Sequence, residues 1–76
     1  MEKSNEYLTV DVNWQDKDEA IKVVMNFERH GKCALEDIHS YNRDGMRVTS
    51  FYLKDCGIET LAEIERAMRE EDIRAV

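Results

Sequence analysis

The chain contains no proline, three glycines and two cysteines among its 76 residues. Without proline, Gly/Ser-rich stretches or internal repeats there is no candidate linker, so we predict a single domain over residues 1–76. No apolar run approaches the roughly 20 residues that cross a bilayer, and we expect no membrane segment. Cys33 and Cys56 are too few for a disulfide framework. The polar start "MEKSNEY" does not resemble an export signal, which favours reduced thiols and a cytoplasmic location.

Positive charge is scarce and scattered. The formal net charge is −6, and the Lys and Arg residues stand singly among acids. Nucleic-acid binders normally carry a basic patch, because phosphate neutralisation supplies most of their affinity, so direct nucleic-acid binding is not expected. An acidic surface suits a basic protein partner, or a decoy that occupies another protein's nucleic-acid groove. The simpler interpretation is that the charge maintains solubility.

The first half of the chain predicts a strand followed by a helix. In "YLTVDVNW" apolar and polar residues alternate, which is the period of a half-buried strand. Asp16 and Glu19 have the spacing of a helix capping box, and an apolar stripe at helical spacing comes after them. Gly31 supplies the left-handed residue that commonly follows a helix, and His30 lies in the last turn.

The second half predicts a hairpin, a helix and a short strand. "ALEDIHSY" and "MRVTSFYLK" flank Asp44-Gly45, a strong signal for a type I′ turn. "IETLAEIERAMREE" is amphipathic, and Thr60 and Glu63 form a second candidate capping box. "DIRAV" is long enough for one edge strand. The order β-α-β-β-α-β predicts an α+β, ferredoxin-like fold with a four-stranded antiparallel sheet and both helices on one face.

Parity within the hairpin predicts which side chains share a sheet face. If the loop has an even number of residues, one group lies beneath the helices; its members are Leu8, Val10, Val12, Ile38, Ser40, Thr49, Phe51 and Leu53. Tyr7, His39, Tyr41 and Tyr52 then lie on the open face, among small polar residues. Tyrosines on an open face indicate either a partner-binding surface or simple cross-strand stabilisation. Trp14 is expected to cap the core.

No catalytic or metal-binding motif is found. His30 and Cys33 form the only close pair of zinc-type ligands, and parity sends His39 to the open face, so no metal site and no cofactor are expected. Cys56 precedes a helix, but no fixed basic neighbour would activate it. Glu36 and Asp37 are consecutive and would point to opposite faces of a strand, which excludes a catalytic carboxylate pair. We therefore predict that the chain is not an enzyme.

The element order resembles that of free-standing ACT-type regulatory domains. The resemblance covers "YLTVDV", a helix ending in "FERHG", "ALEDI", the "NRDG" hairpin, "MRVTSFYL", the second helix and a short last strand. It implies a regulatory domain that pairs with another domain and binds an amino acid or a similar small ligand at a domain interface, near the first strand-to-helix loop. That loop reads "NWQDKDE" here and lacks the glycine typical of amino-acid-binding members, so no ligand residue is carried over.

The leading functional prediction is a small non-enzymatic regulator or inhibitor that acts by protein–protein binding, on a partner protein or as a homodimer. Its predicted anchors are Tyr7, His39, Tyr41 and Tyr52. A second predicted surface is the acidic side of the last helix, with Glu59, Glu63, Glu70 and Glu71, which would serve a decoy inhibitor of a nucleic-acid-handling protein, as in small phage anti-defence proteins. The alternative class is an ACT-type amino-acid sensor, on which Trp14 would report.

Overall fold

The computed structural model describes residues 7–76 as one antiparallel sheet and two helices. The elements are β1 (Leu8–Asn13), a 3-10 turn (Trp14–Asp16), α1 (Lys17–Arg29), β2 (Ala34–Arg43), β3 (Met46–Lys54) and α2 (Ile58–Glu70). The strand order is β1-β3-β2, and β3 pairs antiparallel with both neighbours. The domain is therefore α+β, with β3 as the central strand.

The predicted four-stranded sheet is wrong, because the described residues form a sheet of three strands. The segment after α2 makes only an isolated bridge between Ala75 and Val12, with the Val76 N–H donating to the Asp11 carbonyl at 2.9 Å. The physical reason lies at Ile73, whose side chain is buried in the core and whose N–H is bonded to the end of α2. Because Ile73 is held at the helix end, the residues that reach β1 are fewer than the five or so of an ordinary strand.

The Asp-Gly hairpin prediction is confirmed. Arg43 pairs with Met46 across a two-residue turn, in which Asp44 has φ 52° and Gly45 has φ 82°. Both central residues thus have the positive φ that a type I′ turn requires. The even loop puts Ile38 opposite Phe51 and leaves one parity of the hairpin on the helix side of the sheet.

The core lies between the sheet and the two helices. Its fully buried side chains are Val10, Val12, Ala20, Val24, Phe51, Leu53, Ile64, Met68 and Ile73, with Cys33 at its border. Val10 and Phe51 are cross-strand partners, as their shared parity requires. Both helices therefore bury their apolar stripes against the same sheet face, and the other face is free of helices.

Three residues, Ile38, Val48 and Ser50, differ in burial from what their parity predicts. Ile38 has the parity of the helix side, yet it is 38% exposed, because the helices cover β1 and β3 and leave most of β2 uncovered. Val48 and Ser50 have the parity of the open face but are buried, since β3 is flanked by a strand on each side. Burial in this small sheet thus depends on strand position as much as on parity.

Both helices end in the same hydrogen-bonded motif. After α1, Gly31 has φ 76° and the Lys32 N–H donates to the Phe27 carbonyl at 3.0 Å. After α2, Asp72 has φ 63° and the Ile73 N–H donates to the Met68 carbonyl at 2.9 Å. These are the bonds of the Schellman motif. The prediction that Gly31 supplies the left-handed residue after α1 is therefore confirmed, and Asp72 occupies the equivalent position after α2.

The helix starts differ from the predicted capping boxes. The Asp16 side chain makes no capping hydrogen bond, and instead Asn13 Oδ1 accepts from the Gln15 N–H at 2.9 Å to start the 3-10 turn. α2 begins at Ile58, after Gly57, so Thr60 already lies inside the helix and cannot cap it. Both predicted side-chain caps are therefore wrong: α1 follows directly from the 3-10 turn, and α2 begins after Gly57 without a side-chain cap.

Candidate binding face

The helix-free face of the sheet brings the predicted aromatic residues together. Its side chains come from all three strands, and β3 contributes the buried Ser50 and the half-buried Tyr52 at the centre. Tyr7, His39 and Tyr41, which the sequence placed there, are exposed on the same face. This open face divides into a hydrogen-bonded half and a concave half.

The hydrogen-bonded half is centred on Ser50. Its Oγ lies 2.7 Å from Asp11 Oδ1 and 2.8 Å from the Tyr41 hydroxyl. Because a carboxylate only accepts, Ser50 donates to Asp11 and accepts from Tyr41. Arg43 Nη1 lies 3.4 Å from the other Asp11 oxygen and closes the chain of bonds. Because the hydroxyl of Tyr41 is bonded to Ser50 within the chain, the ring of this exposed residue is the part left free to contact a partner.

The concave half is a pocket of about 290 Å³ lined by Tyr7, Glu36, Asp37, His39 and Tyr52. We call these five residues the aromatic–acidic pocket. The Tyr7 and His39 rings both stand edge-on to Tyr52, with centroids 6.5 Å and 5.4 Å away. His39 Nε2 lies 3.0 Å from Asp37 Oδ2, which orients the imidazole. The pocket thus joins aromatic walls to two carboxylates.

Glu36 and Asp37 belong to this pocket because β2 is irregular. The register shifts between Leu35 and Asp37, so Glu36 is an extra residue in a β-bulge. Both acidic side chains therefore line the same concavity, and the prediction that they point to opposite faces is wrong. Alternation applies only to uninterrupted strands, and no residue type in "ALEDI" marks a bulge. The acidic part of the site therefore could not be found from periodicity.

The chemistry of the pocket favours a cationic group. Tyrosine rings attract a cation within about 6 Å of the ring through their quadrupole, and carboxylates add direct charge attraction. Within residues 7–76, no group of three or more His, Cys, Asp or Glu side chains has an arrangement that could hold a metal ion. A guanidinium or ammonium fits the mixed aromatic and acidic lining.

The acidic side of α2 is less uniform than its acid content indicates. Glu59, Glu63 and Glu70 lie along one stripe of the helix, but Arg66 occupies the same stripe between them. Glu63 Oε1 is 3.7 Å from Lys32 Nζ, an exposed ion pair. Its charge is thereby partly balanced within the chain.

The two helices form a separate groove on the outer side of the molecule. It measures about 380 Å³, and its polar rim includes Glu19, Lys22, Glu70 and Glu71 around Val23 and Phe27. Glu59 and Glu63 do not line it. The predicted acidic surface is therefore split between the two ends of α2.

The first strand-to-helix loop is occupied by the 3-10 turn. Trp14 is 40% exposed, and the Arg47 guanidinium carbon lies 5.5 Å from the centre of its ring. The expectation that Trp14 caps the core is therefore wrong. Trp14 lines neither the aromatic–acidic pocket nor the helix groove.

The two cysteines meet at one end of the core. Cys33 follows the end of α1 and is buried, and Cys56 precedes α2 and packs against the same cluster. Burial raises the pKa of the Cys33 thiol, and the nearby Cys56 and Glu28 add to the rise. Burial also raises the pKa of the Cys56 thiol, although a hydrogen bond with Cys33 opposes it. Raised pKa values make both thiols weak nucleophiles at neutral pH.

Comparison of the chain with protein-family models, curated proteins and solved structures gave no match. Within the described residues, neither helix has the length and apolarity needed to cross a membrane. The geometry of the open face is therefore the basis for assigning a function.

Proposed function

We propose that this chain is a small non-enzymatic binding module that holds an arginine or lysine side chain of a basic partner protein in the aromatic–acidic pocket. The observation that carries the proposal is the pocket itself, where Tyr7, His39 and Tyr52 stand edge to face beside two carboxylates. Its walls offer π-electron density, and its rim offers negative charge.

The partner's charge follows from the chain's electrostatics. A net charge of −6 raises the local concentration of basic segments around the molecule and speeds encounter at low salt. Long-range attraction alone does not select a binding place. The pocket supplies that selection, because it is where aromatic rings and two carboxylates coincide.

The acidic side of α2 supports a weaker case for a nucleic-acid decoy. A decoy replaces a continuous run of phosphates, whereas Glu59, Glu63 and Glu70 are interrupted by Arg66 and partly balanced by Lys32. We therefore place the basic partner on the open face of the sheet.

The proposal is tested by NMR titration with the peptide Gly-Gly-Arg-Gly-Gly and the same peptide carrying citrulline in place of arginine. Citrulline keeps the size of the side chain but removes its charge. We expect the arginine peptide to shift the amide signals of Glu36, Asp37, His39 and Tyr52, and the citrulline peptide to bind at least about tenfold more weakly. Equal binding of the two peptides, or shifts confined to the helix groove, would contradict the proposal.

Two variants of Tyr52 test whether its aromatic ring is needed for binding. Tyr52→Phe keeps the aromatic face and is expected to keep binding, whereas Tyr52→Ala removes the wall shared by Tyr7 and His39 and is expected to abolish it. Free arginine is the third ligand. If it binds as tightly as the peptide, the chain is a small-molecule sensor and the protein-binding proposal fails.

A further inference from the structure

The strand β2 is an uncovered edge. It is ten residues long and pairs with β3 on one side, and no other strand among residues 7–76 pairs with its outer side. Every residue from 36 to 43 is exposed. An edge of this length offers a row of unpaired N–H and C=O groups, which is a template for another strand.

The hairpin determines which backbone groups point outward. In a two-residue hairpin the flanking residues, here Arg43 and Met46, form a hydrogen-bonded pair, and such pairs then alternate along the ladder. Arg43, Tyr41 and His39 therefore direct their backbone groups toward β3, and Asn42, Ser40 and Ile38 direct theirs outward. Consistent with this, the Ile38 N–H donates to the Asp37 carboxylate at 2.9 Å and not to β3.

These outward residues are arranged to pair with themselves. In an antiparallel alignment with a two-fold axis at Ser40, Ser40 faces Ser40 of the second copy, and Ile38 faces Asn42 of the second copy at both ends. All three outward residues of each copy then meet outward residues of the other. The alignment allows up to about six hydrogen bonds, two for each such pair, with the Ile38 N–H of each copy exchanging its bond to the Asp37 carboxylate for one to the Asn42 carbonyl of the second copy.

The side chains on the open face favour the same alignment. With the axis at Ser40, Asp37 of each copy lies opposite Arg43 of the other copy, which gives two equivalent ion pairs. His39 of each copy lies opposite Tyr41 of the other. Opposite charges in directly facing positions stabilise a strand pair. An axis at His39 would instead place Asp37 opposite Tyr41, would bring the bulge residue Glu36 into the ladder and would form no ion pair. Charge complementarity therefore selects the axis at Ser40.

We propose that two copies of this chain associate through β2, antiparallel about a two-fold axis at Ser40, to form a continuous six-stranded sheet. The occupant of the edge is thus a second copy of the same chain. The pairing also places the open faces of both copies side by side, with the two aromatic–acidic pockets on one surface. It does not rest on the proposed peptide binding, because it depends on the backbone of β2 and on the pairing of Asp37 with Arg43. Arg43 does not line the pocket, but Asp37 does, so the dimer and a bound peptide would share that carboxylate.

Sedimentation velocity over a concentration series from low micromolar to millimolar tests the association. We expect a monomer–dimer equilibrium for the unaltered chain. Ser40→Pro removes the outward N–H at the axis and is expected to leave only monomer. Ser40→Ala is the matched control: it loses the 2.9 Å hydroxyl contact with Thr49 that Ser40→Pro also loses, but it keeps the N–H and is expected to dimerise.

Charge reversal tests the register. Arg43→Asp would bring like charges together at both ends and is expected to weaken the dimer by about tenfold or more. The double variant Asp37→Arg/Arg43→Asp restores opposite charges and is expected to recover dimerisation to within about threefold of the starting value. This readout decides the question if Ser40→Pro proves unfolded by circular dichroism.

Three results would overturn the proposal: a monomer at every concentration, a folded Ser40→Pro variant that dimerises normally, or indifference of the dimer to both charge variants. Tyr52→Ala separates this inference from the peptide-binding function. It is expected to lose the arginine peptide and to keep the dimer, so either proposal can fail without the other.

Discussion

The carboxylate of Asp37 and the imidazole of His39 are in contact on the same face of β2, with Asp37 Oδ2 3.0 Å from His39 Nε2. Because these residues are two positions apart in a strand, they share a face, and the β-bulge before Asp37 adds Glu36 to the same concavity. An irregularity of one residue thus converts an ordinary edge strand into one wall of a charged pocket.

The first prediction concerns the pocket carboxylates. Glu36→Gln and Asp37→Asn each remove one negative charge from the pocket. We expect each variant to bind the arginine peptide roughly threefold to tenfold more weakly. The reason is that an exposed ion pair contributes about 0.2–1 kcal/mol, and a hydrogen bond to a charged group contributes somewhat more. The measurement is the peptide dissociation constant by NMR titration at two salt concentrations. Glu70→Gln, which removes the same charge from the helix groove, is the control. An equal loss in that variant would mean that net charge alone determines affinity.

The second prediction concerns the hydrogen-bonded half of the open face. Ser50 is 2% exposed and joins Asp11 to Tyr41, so Ser50→Ala leaves both without this partner. We expect a loss of about 1–3 kcal/mol in the free energy of unfolding, measured by urea denaturation. Tyr41→Phe removes only the outer bond and should cost about 0.5–1.5 kcal/mol. If Ser50→Ala proves no more costly than Tyr41→Phe, the serine is not the centre of the network.

The third prediction concerns the end of α2. Asp72 has φ 63°, a conformation that L residues adopt at a cost and glycine adopts freely. Asp72→Gly is expected to raise the free energy of unfolding by about 0.5–1 kcal/mol, and Gly31→Ala, at the equivalent position of α1, to lower it by about 1 kcal/mol. Urea denaturation of the two variants gives both values. Changes of the same sign would show that the two helix ends are not equivalent.

The fourth prediction concerns the thiols. Burial raises the pKa of Cys33 and of Cys56 above the ordinary thiol value of 9.0, so both are protonated at neutral pH. We expect iodoacetamide to alkylate both slowly at pH 7 and much faster as the pH rises above 9, because the thiolate is the nucleophile. A group with a raised pKa in the folded state contributes stability below its unfolded pKa and loses it as pH rises through the folded value. The free energy of unfolding should therefore fall above about pH 9.

Mass spectrometry of alkylated peptides provides the rates, and the same chain in urea provides the reference. Alkylation in the folded chain at pH 7 that matches the unfolded rate would contradict the raised pKa values. The Cys33→Ala variant tests the attribution to Cys33, since it should remove part of the stability loss at high pH.

Much of the fold follows from local signals in the sequence. Asp44-Gly45 determines the turn, the turn determines the parity, and the parity places His39, Tyr41 and Tyr52 on one face. Gly31 likewise marks the end of α1 correctly. Each of these inferences depends on residues within a few positions of one another, where the stereochemistry of the backbone leaves few choices.

The features that sequence patterns did not predict depend on competition between distant groups. Ile73 enters the core instead of extending a strand, and Gly57 starts α2 ahead of the candidate cap at Thr60. The contact of the exposed Trp14 with Arg47 likewise joins residues far apart in sequence, and the bulge at Glu36 has no residue-type signal in "ALEDI". The periodicity of apolar residues along the sequence does not indicate which of two neighbouring apolar side chains will be buried in the core.

The short turn of the hairpin also bears on how the chain folds. Closing two residues between β2 and β3 costs little chain entropy, whereas β1 must find β3 across more than 30 residues and Ala75 must find Val12 across more than 60. We expect the transition state for folding to contain the hairpin and to lack the Ala75 bridge. Tyr41→Phe should then mainly slow folding, and Ala75→Gly should mainly speed unfolding, in stopped-flow measurements. On this pathway the bare edge of β2 forms before the helices have packed, so the strand that we propose as a dimer contact is also the first surface that the folding chain exposes.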